Sequence, residues 1–116
     1  MSAQAIQLIF GALNLYCAFF TSLFMLPMIF GKVSMNSGYG VKIPGAFDSE
    51  EKWHKINKYA AKVFLLIYCF PVAMSGLVLL LLPQVRFYFL FLCFFLPHLL
   101  LGISFKVVVK YSNSKF

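Results

Sequence analysis

The sequence predicts an all-α integral membrane protein, with three transmembrane helices and an interfacial amphipathic helix leading into the second. Of its 116 residues, 62% are hydrophobic and 11% are charged, which lies far outside the range of soluble domains. The hydrophobic residues gather in three long runs separated by shorter polar stretches. We therefore treat residues 1–116 as a single membrane domain.

The three apolar runs cover about residues 6–30, 59–82 and 87–109. Each run exceeds the roughly 20 residues that a helix needs to cross a hydrocarbon core ~30 Å thick. Lipid offers no partners for backbone N–H and C=O groups, so a helix is the expected structure for each run. Pro83 and Arg86 separate the last two runs, which indicates two spans there instead of one long segment.

The basic side chains predict the orientation of the spans. With three spans, the loop at 31–58 and the tail lie on the same side of the membrane, and that side carries nine of the ten basic residues when Lys62 and Lys106 at the adjoining span ends are counted. The positive-inside rule therefore places the loop and the C-terminus in the cytoplasm and the N-terminus outside the plasma (inner) membrane. The net charge of +7 indicates anchoring at the lipid bilayer, and we expect no nucleic-acid partner.

The first span carries its small and polar residues at heptad-like spacing. Small side chains let helix backbones approach closely, and side-chain amides can form hydrogen bonds between helices. We expect this face to contact the other two spans or a second copy of the chain, which would give a homo-oligomer. The face consists of Gln7, Gly11, Asn14, Ala18, Thr21 and Ser22.

His98 follows Pro97 near the middle of the third span, and Pro71 lies near the middle of the second, where it favours a kink. An ionisable side chain at such depth is a candidate functional residue. A structural hydrogen bond to Asn14, Thr21 or the Ile67 carbonyl is one reading, proton or ligand handling is a second, and a metal or haem site is a third. The three cysteines lack the spacing of a metal site, so we expect free thiols, no metal and no cofactor.

The loop changes character at Asp48. Before it, turn-forming residues exclude a regular helix. From Asp48, a variant capping box with Glu51 predicts a helix that runs into the second span. We expect Trp53 to lie at headgroup depth. Two faces of this helix are predicted. The apolar face consists of Trp53, Ile56, Asn57, Ala60 and Phe64, and the lysine face consists of Lys52, Lys55, Lys58 and Lys62.

A sequence signature runs through this loop and the start of the helix. It reads Asn36-x-x-Tyr39-Gly40-x-Lys42-x-Pro44, then Ser49-Glu50-Glu51-x-Trp53 and Asn57-x-x-Ala60. This order resembles the SdpI family of bacterial membrane proteins, in which an N-x-x-x-G-(I/V)-R-T-P segment precedes an E-E-x-W segment at the head of a membrane helix. The resemblance implies a bundle of three spans. It also implies a role like that of the best-known member, which confers immunity to a secreted killing peptide and helps sequester its own repressor at the membrane.

Three positions depart from the family pattern. Lys42 stands where the family usually has Arg, Ile43 where it often has Thr, and Gly45 where a bulky residue is common. An Arg fork binds carboxylate or phosphate through two parallel hydrogen bonds, which Lys cannot do. An anion site built on that Arg would therefore be weaker here.

Two functions follow as hypotheses. The first is binding of a peptide toxin, signal or membrane-protein partner through the loop; the alternative is a small accessory subunit of a larger membrane complex. We do not expect an enzyme, because the sequence has no nucleophile–base pairing or paired intramembrane carboxylates. The partner-binding candidates are Asn36, Tyr39, Gly40, Lys42, Pro44, Trp53 and Asn57, and the intramembrane polar candidates are Asn14 and His98.

Overall fold

The computed structural model describes residues 1–115, which form helices and connecting loops and no β-strand. Three long helices, Ala3–Ile29, Glu50–Leu81 and Phe87–Lys115, are each long and apolar enough to cross a membrane. This confirms the all-α, three-span prediction. In detail, the elements are α1 (Ala3–Ile29), α2 (Glu50–Val63), a π-helical turn (Phe64–Cys69), α3 (Phe70–Leu81), α4 (Phe87–Phe95), a 3₁₀ turn (Leu96–Leu99) and α5 (Leu100–Lys115).

The interfacial helix and the second span are one continuous helix. Helical structure begins at Glu50 and ends at Leu81, and the loop before it, 30–49, contains turns and bends but no helix. The third long helix likewise extends past the predicted end at 109 to Lys115. The added length lies in lysine-containing segments outside the apolar runs, which hydropathy alone does not delimit.

The N-cap of α2 is Ser49, and the prediction of Asp48 was wrong by one residue. The Ser49 hydroxyl accepts a hydrogen bond from the Lys52 backbone N–H at 3.0 Å. Asp48 instead pairs with the Lys52 ammonium at 2.9 Å. Asp and Ser are both good N-cap residues. The helix begins one residue later than the positions of the acidic residues indicate.

Two prolines lie beside departures from α-helical geometry. Pro71 follows the π-helical turn, in which the Phe70 N–H donates to the Leu65 carbonyl five residues back. Pro97 lies inside the 3₁₀ turn. A proline removes one helical N–H and crowds the preceding turn, so local changes of helical pitch accommodate both residues.

The small and polar face of α1 packs against the other helices, as the sequence predicts. Gln7, Gly11, Asn14 and Ala18 are buried, while the outward residues of α1 are exposed. The closest approach pairs Gly11 with Gly76 of α3: a Cβ on Gly76 would lie 2.8 Å from the Gly11 carbonyl oxygen. The absence of side chains at both positions lets the two backbones touch.

The other end of the bundle is held by the loop, α2 and α5. Their core includes Val41, Ile43, Ile56 and Val108, all of which are buried. The predicted apolar face of α2 points into this core, and Lys55, Lys58 and Lys62 of the opposite face are exposed. The rings of Tyr59 and Tyr111 stack with their centroids 3.8 Å apart. The loop is therefore packed onto the helices.

Gly76→Ala should lower the thermal stability of the detergent-solubilised protein by about 1–3 kcal/mol, because the added methyl group would overlap the Gly11 carbonyl. Gly102→Ala is the matched control. A Cβ there meets nothing within 4 Å, so its change should stay within about 1 kcal/mol. Equal destabilisation by both changes would contradict the close contact of α1 and α3.

Candidate functional site

The amide of Asn57 fixes the centre of the loop. Its Oδ1 accepts a hydrogen bond from the Val41 N–H at 2.7 Å, and its Nδ2 donates to the Trp53 carbonyl at 2.9 Å. Asn57 is 1% exposed, so water does not compete for these bonds. One buried side chain of α2 thus sets the path of the loop backbone above it.

Gly40 lies directly over this amide. Its φ of +89° is in the region that favours glycine, and a Cβ there would lie 2.9 Å from the Asn57 Cγ. The turn and the close approach therefore both require glycine. Gly40 is needed to bring the Val41 N–H within reach of Asn57.

Tyr39 ties the loop to α1. Its hydroxyl donates a hydrogen bond to the Phe24 carbonyl, and the two rings lie with their centroids 6.0 Å apart. Partial burial raises the pKa of the Tyr39 hydroxyl above its ordinary value of 10.0, so it remains a donor at neutral pH. Tyr39 thus contributes to the shape of the loop.

Asn36 forms a local turn. Its Oδ1 accepts from the Gly38 N–H at 2.9 Å, and its Nδ2 donates to the Ser34 carbonyl at 2.8 Å. Asn side chains commonly stabilise such turns. The exposed Asn36 amide therefore already has partners within the loop.

Lys42 and Pro44 of the loop are exposed, and Phe47, three residues after Pro44, is 39% exposed. We call Lys42, Pro44 and Phe47 the loop ridge. The sequence prediction did not include Phe47, whose signal is a large apolar residue within a polar, turn-rich segment. The ridge combines one positive charge with apolar side chains, and its aromatic member is of a residue type enriched in protein interfaces.

Trp53 is buried within the protein, and its position at headgroup depth stays a prediction. It is 1% exposed, and its indole Nε1 has no hydrogen-bond partner within residues 1–115. Among the predicted partner-binding residues, Trp53 and Asn57 therefore support the loop from below. A partner on the outer surface would contact neither side chain in this conformation.

Each of the three acidic side chains has a basic neighbour one turn along. Asp48 and Lys52 are 2.9 Å apart, and Glu51 and Lys55 are 2.8 Å apart. The hydrogen bond and charge of Lys55 lower the pKa of the Glu51 carboxyl. The third pair joins the Glu50 carboxylate and the His54 ring at 3.8 Å. The negative charges are thus partnered within 48–55, and Lys42 forms no ion pair within residues 1–115.

Asn14 and His98 meet inside the bundle. Asn14 Oδ1 lies 2.8 Å from His98 Nε2, and His98 Nδ1 lies 2.9 Å from the Tyr68 hydroxyl. Since Asn14 Oδ1 can only accept, Nε2 carries the proton in the neutral imidazole, and Nδ1 accepts from Tyr68. The sequence placed both residues at this depth but did not indicate Tyr68, which lies on the π-helical turn.

Asn14 also repairs the break caused by Pro97. A proline has no N–H for the carbonyl four residues earlier, which here is the Cys93 carbonyl. Asn14 Nδ2 lies 3.3 Å from that oxygen, 3.4 Å from the Phe94 carbonyl oxygen and 2.9 Å from the Ser75 hydroxyl. The buried amide thus supplies a donor where the third long helix lacks one.

Gln7 has the same role two turns earlier in α1, and the site prediction did not include it. Pro83 cannot donate to the Leu79 carbonyl, and Gln7 Nε2 donates to that oxygen at 2.9 Å. It also lies within 3.2 and 3.3 Å of the Leu82 and Pro83 carbonyls, and its Oε1 accepts from the Val85 N–H at 2.9 Å. The signal in the sequence is Pro83 itself, because it identifies the carbonyl that needs a donor.

No three His, Cys, Asp or Glu side chains within residues 1–115 are grouped to hold a metal ion. His98 has both ring nitrogens engaged, by Asn14 and Tyr68. Asn14, His98 and Tyr68 thus form a hydrogen-bonded network inside the bundle. The exposed candidates for partner binding lie on the loop.

Comparison with known proteins agrees with this architecture. The model of the SdpI/YfhL protein family matches residues 32–109, which include most of the loop, the second long helix and the third long helix as far as Val109. No curated protein and no solved structure matches the chain significantly.

Asn57→Leu should increase the rate of tryptic cleavage after Lys42 by about tenfold, because the buried Val41 N–H loses its acceptor and the loop opens more often. Cleavage would be followed by mass spectrometry of the protein in detergent. Asn113→Leu, at an exposed position of α5, is the control and should leave the rate unchanged. Equal rates for both variants would show that Asn57 does not hold the loop.

Proposed function

Because this chain belongs to the SdpI/YfhL protein family, we propose that it binds a peptide or protein partner at the membrane, conferring immunity to a toxin or sensing a signal. It is a multi-pass membrane protein. The proposal assigns binding to the loop and no catalytic step to any residue. The intramembrane network of Asn14, His98 and Tyr68 is assigned a structural role.

The observation that carries the proposal is the loop ridge on a fixed backbone. A segment as long as 30–49 without regular secondary structure is uncommon in a compact domain, and such loops often carry function. Here Asn57 of α2 bonds the loop backbone, Tyr39 ties the loop to α1, and Gly40 packs on the Asn57 amide. A preorganised surface loses less conformational entropy on binding, which favours recognition.

We further propose that the loop ridge faces the cytoplasm of a bacterial inner membrane. The loop, α2 and the lysine-rich end of α5 lie together at one end of the bundle, as the Tyr59–Tyr111 stack indicates. Arg86 is the one basic residue at the opposite end, beside the connection that Gln7 holds. This distribution supports a cytoplasmic loop and C-terminus and an external N-terminus.

Expression of this chain in a bacterium sensitive to a secreted killing peptide should raise survival, measured as colony counts after exposure. Phe47→Ser should reduce partner affinity, and with it the peptide concentration tolerated, by about tenfold, the effect of losing ~1.4 kcal/mol from an aromatic contact.

Lys58→Ser is the matched control, since Lys58 is exposed on α2 outside the ridge. Membrane levels of all variants would be compared by immunoblot. Equal killing with and without the chain would reject immunity, and equal protection by the Phe47 and Lys58 variants would reject the ridge as the binding surface.

A further inference from the structure

A groove of about 620 Å³ lies between α1, the loop and α5, on the inner side of the loop. Its walls are mainly apolar and come from Phe24, Met25, Met28, Phe64 and Phe105. Tyr39 and Lys42 are its polar members on the loop side. The groove is therefore amphipathic, with an apolar floor and a basic rim.

The groove runs from the end of α1 toward the middle of the bilayer. Its lining on α1 extends from Met28, next to the helix end at Ile29, back to Thr21. At 1.5 Å per residue, that distance is about 10 Å. Phe24 and Phe105 border it from two different spans and are 57% and 45% exposed, so the groove is bordered by surfaces that face lipid. A molecule can thus enter it sideways from the membrane.

The charge at the rim is uncompensated. Lys42 is exposed and forms no ion pair within residues 1–115, while the acidic side chains of 48–51 pair with Lys52, His54 and Lys55. The Tyr39 hydroxyl already donates to the Phe24 carbonyl. Of the two polar side chains on the loop side of the groove, Lys42 is therefore the one that can bind an anionic group of a ligand. An occupant with one apolar chain and one anionic group would complement both parts of the groove.

We propose that the groove binds an anionic phospholipid, with one acyl chain against Met25 and Phe105 and its phosphate at Lys42. The lipid would fill the space under the loop and reinforce the loop conformation. This inference does not rest on the proposed partner, because the lining, the charge and the lateral access are properties of this chain alone.

The test is native mass spectrometry of the full chain released from detergent, with phosphatidylglycerol or phosphatidylcholine added at matched acyl composition. The wild-type chain should retain phosphatidylglycerol preferentially. Lys42→Gln should reduce its affinity for phosphatidylglycerol about fivefold, as expected for one basic residue at a lipid phosphate. Lys62→Gln, which makes the same charge change at an exposed position outside the groove, should retain the wild-type preference.

A second variant tests the apolar part. Thr21→Phe narrows the groove at its deep end and should weaken the binding of both lipids. Circular dichroism would check that the helix content is unchanged. Equal effects of the Lys42 and Lys62 variants would overturn the proposal, because the preference would then reflect overall charge. Displacement of the lipid by inorganic phosphate would reduce the site to an anion site and would also overturn it.

If neither lipid is retained while a synthetic apolar peptide with a free C-terminal carboxylate binds in a Lys42-dependent way, the groove is a peptide site and the lipid proposal is wrong. Lipid retention is measured without any toxin. Its failure is therefore distinguishable from a failure of the proposed immunity function.

Discussion

The structure depends on one constraint: a backbone carbonyl buried in lipid needs a hydrogen-bond donor from the protein, because no water is available. Pro83 and Pro97 each leave such a carbonyl without its helical partner. Two amides of α1 supply the missing donors, Gln7 to the Leu79 carbonyl and Asn14 to the Cys93 carbonyl. The polar face of the first span thus supports the end of the second long helix and the break at Pro97 inside the third.

A buried side-chain amide also holds the loop, in this case as an acceptor. Asn57 accepts from the Val41 N–H, and the glycine above it lets the backbone approach. The loop ridge and the groove are both consequences of this fixed path, because the same segment forms both and Lys42 belongs to both. Structural amides and exposed ridge residues therefore have separate roles, although they are close in sequence.

Much of the architecture could be predicted from the sequence. The lengths of the apolar runs predict the three spans, because the bilayer thickness sets the length of a spanning helix. The heptad-like spacing of small and polar residues predicts the buried face of α1, because helix geometry places these residues on one side. The partners of individual side chains could not be predicted in this way. Burial of Trp53, the shift of the N-cap to Ser49 and the contact of His98 with Tyr68 depend on how the loop and the π-helical turn pack. Gln7 could have been found, because Pro83 marks the carbonyl that requires it.

The most direct test of this account is a double-mutant cycle between Gln7 and Pro83, measured as the free energy of unfolding in detergent or bilayers. Gln7→Leu removes the donor, and Pro83→Ala supplies an N–H that reaches the Leu79 carbonyl if the helix extends past its end at Leu81. The account predicts that Gln7→Leu is less destabilising in the Pro83→Ala background, with a coupling of at least about 0.5 kcal/mol. Additive effects of the two changes would contradict it.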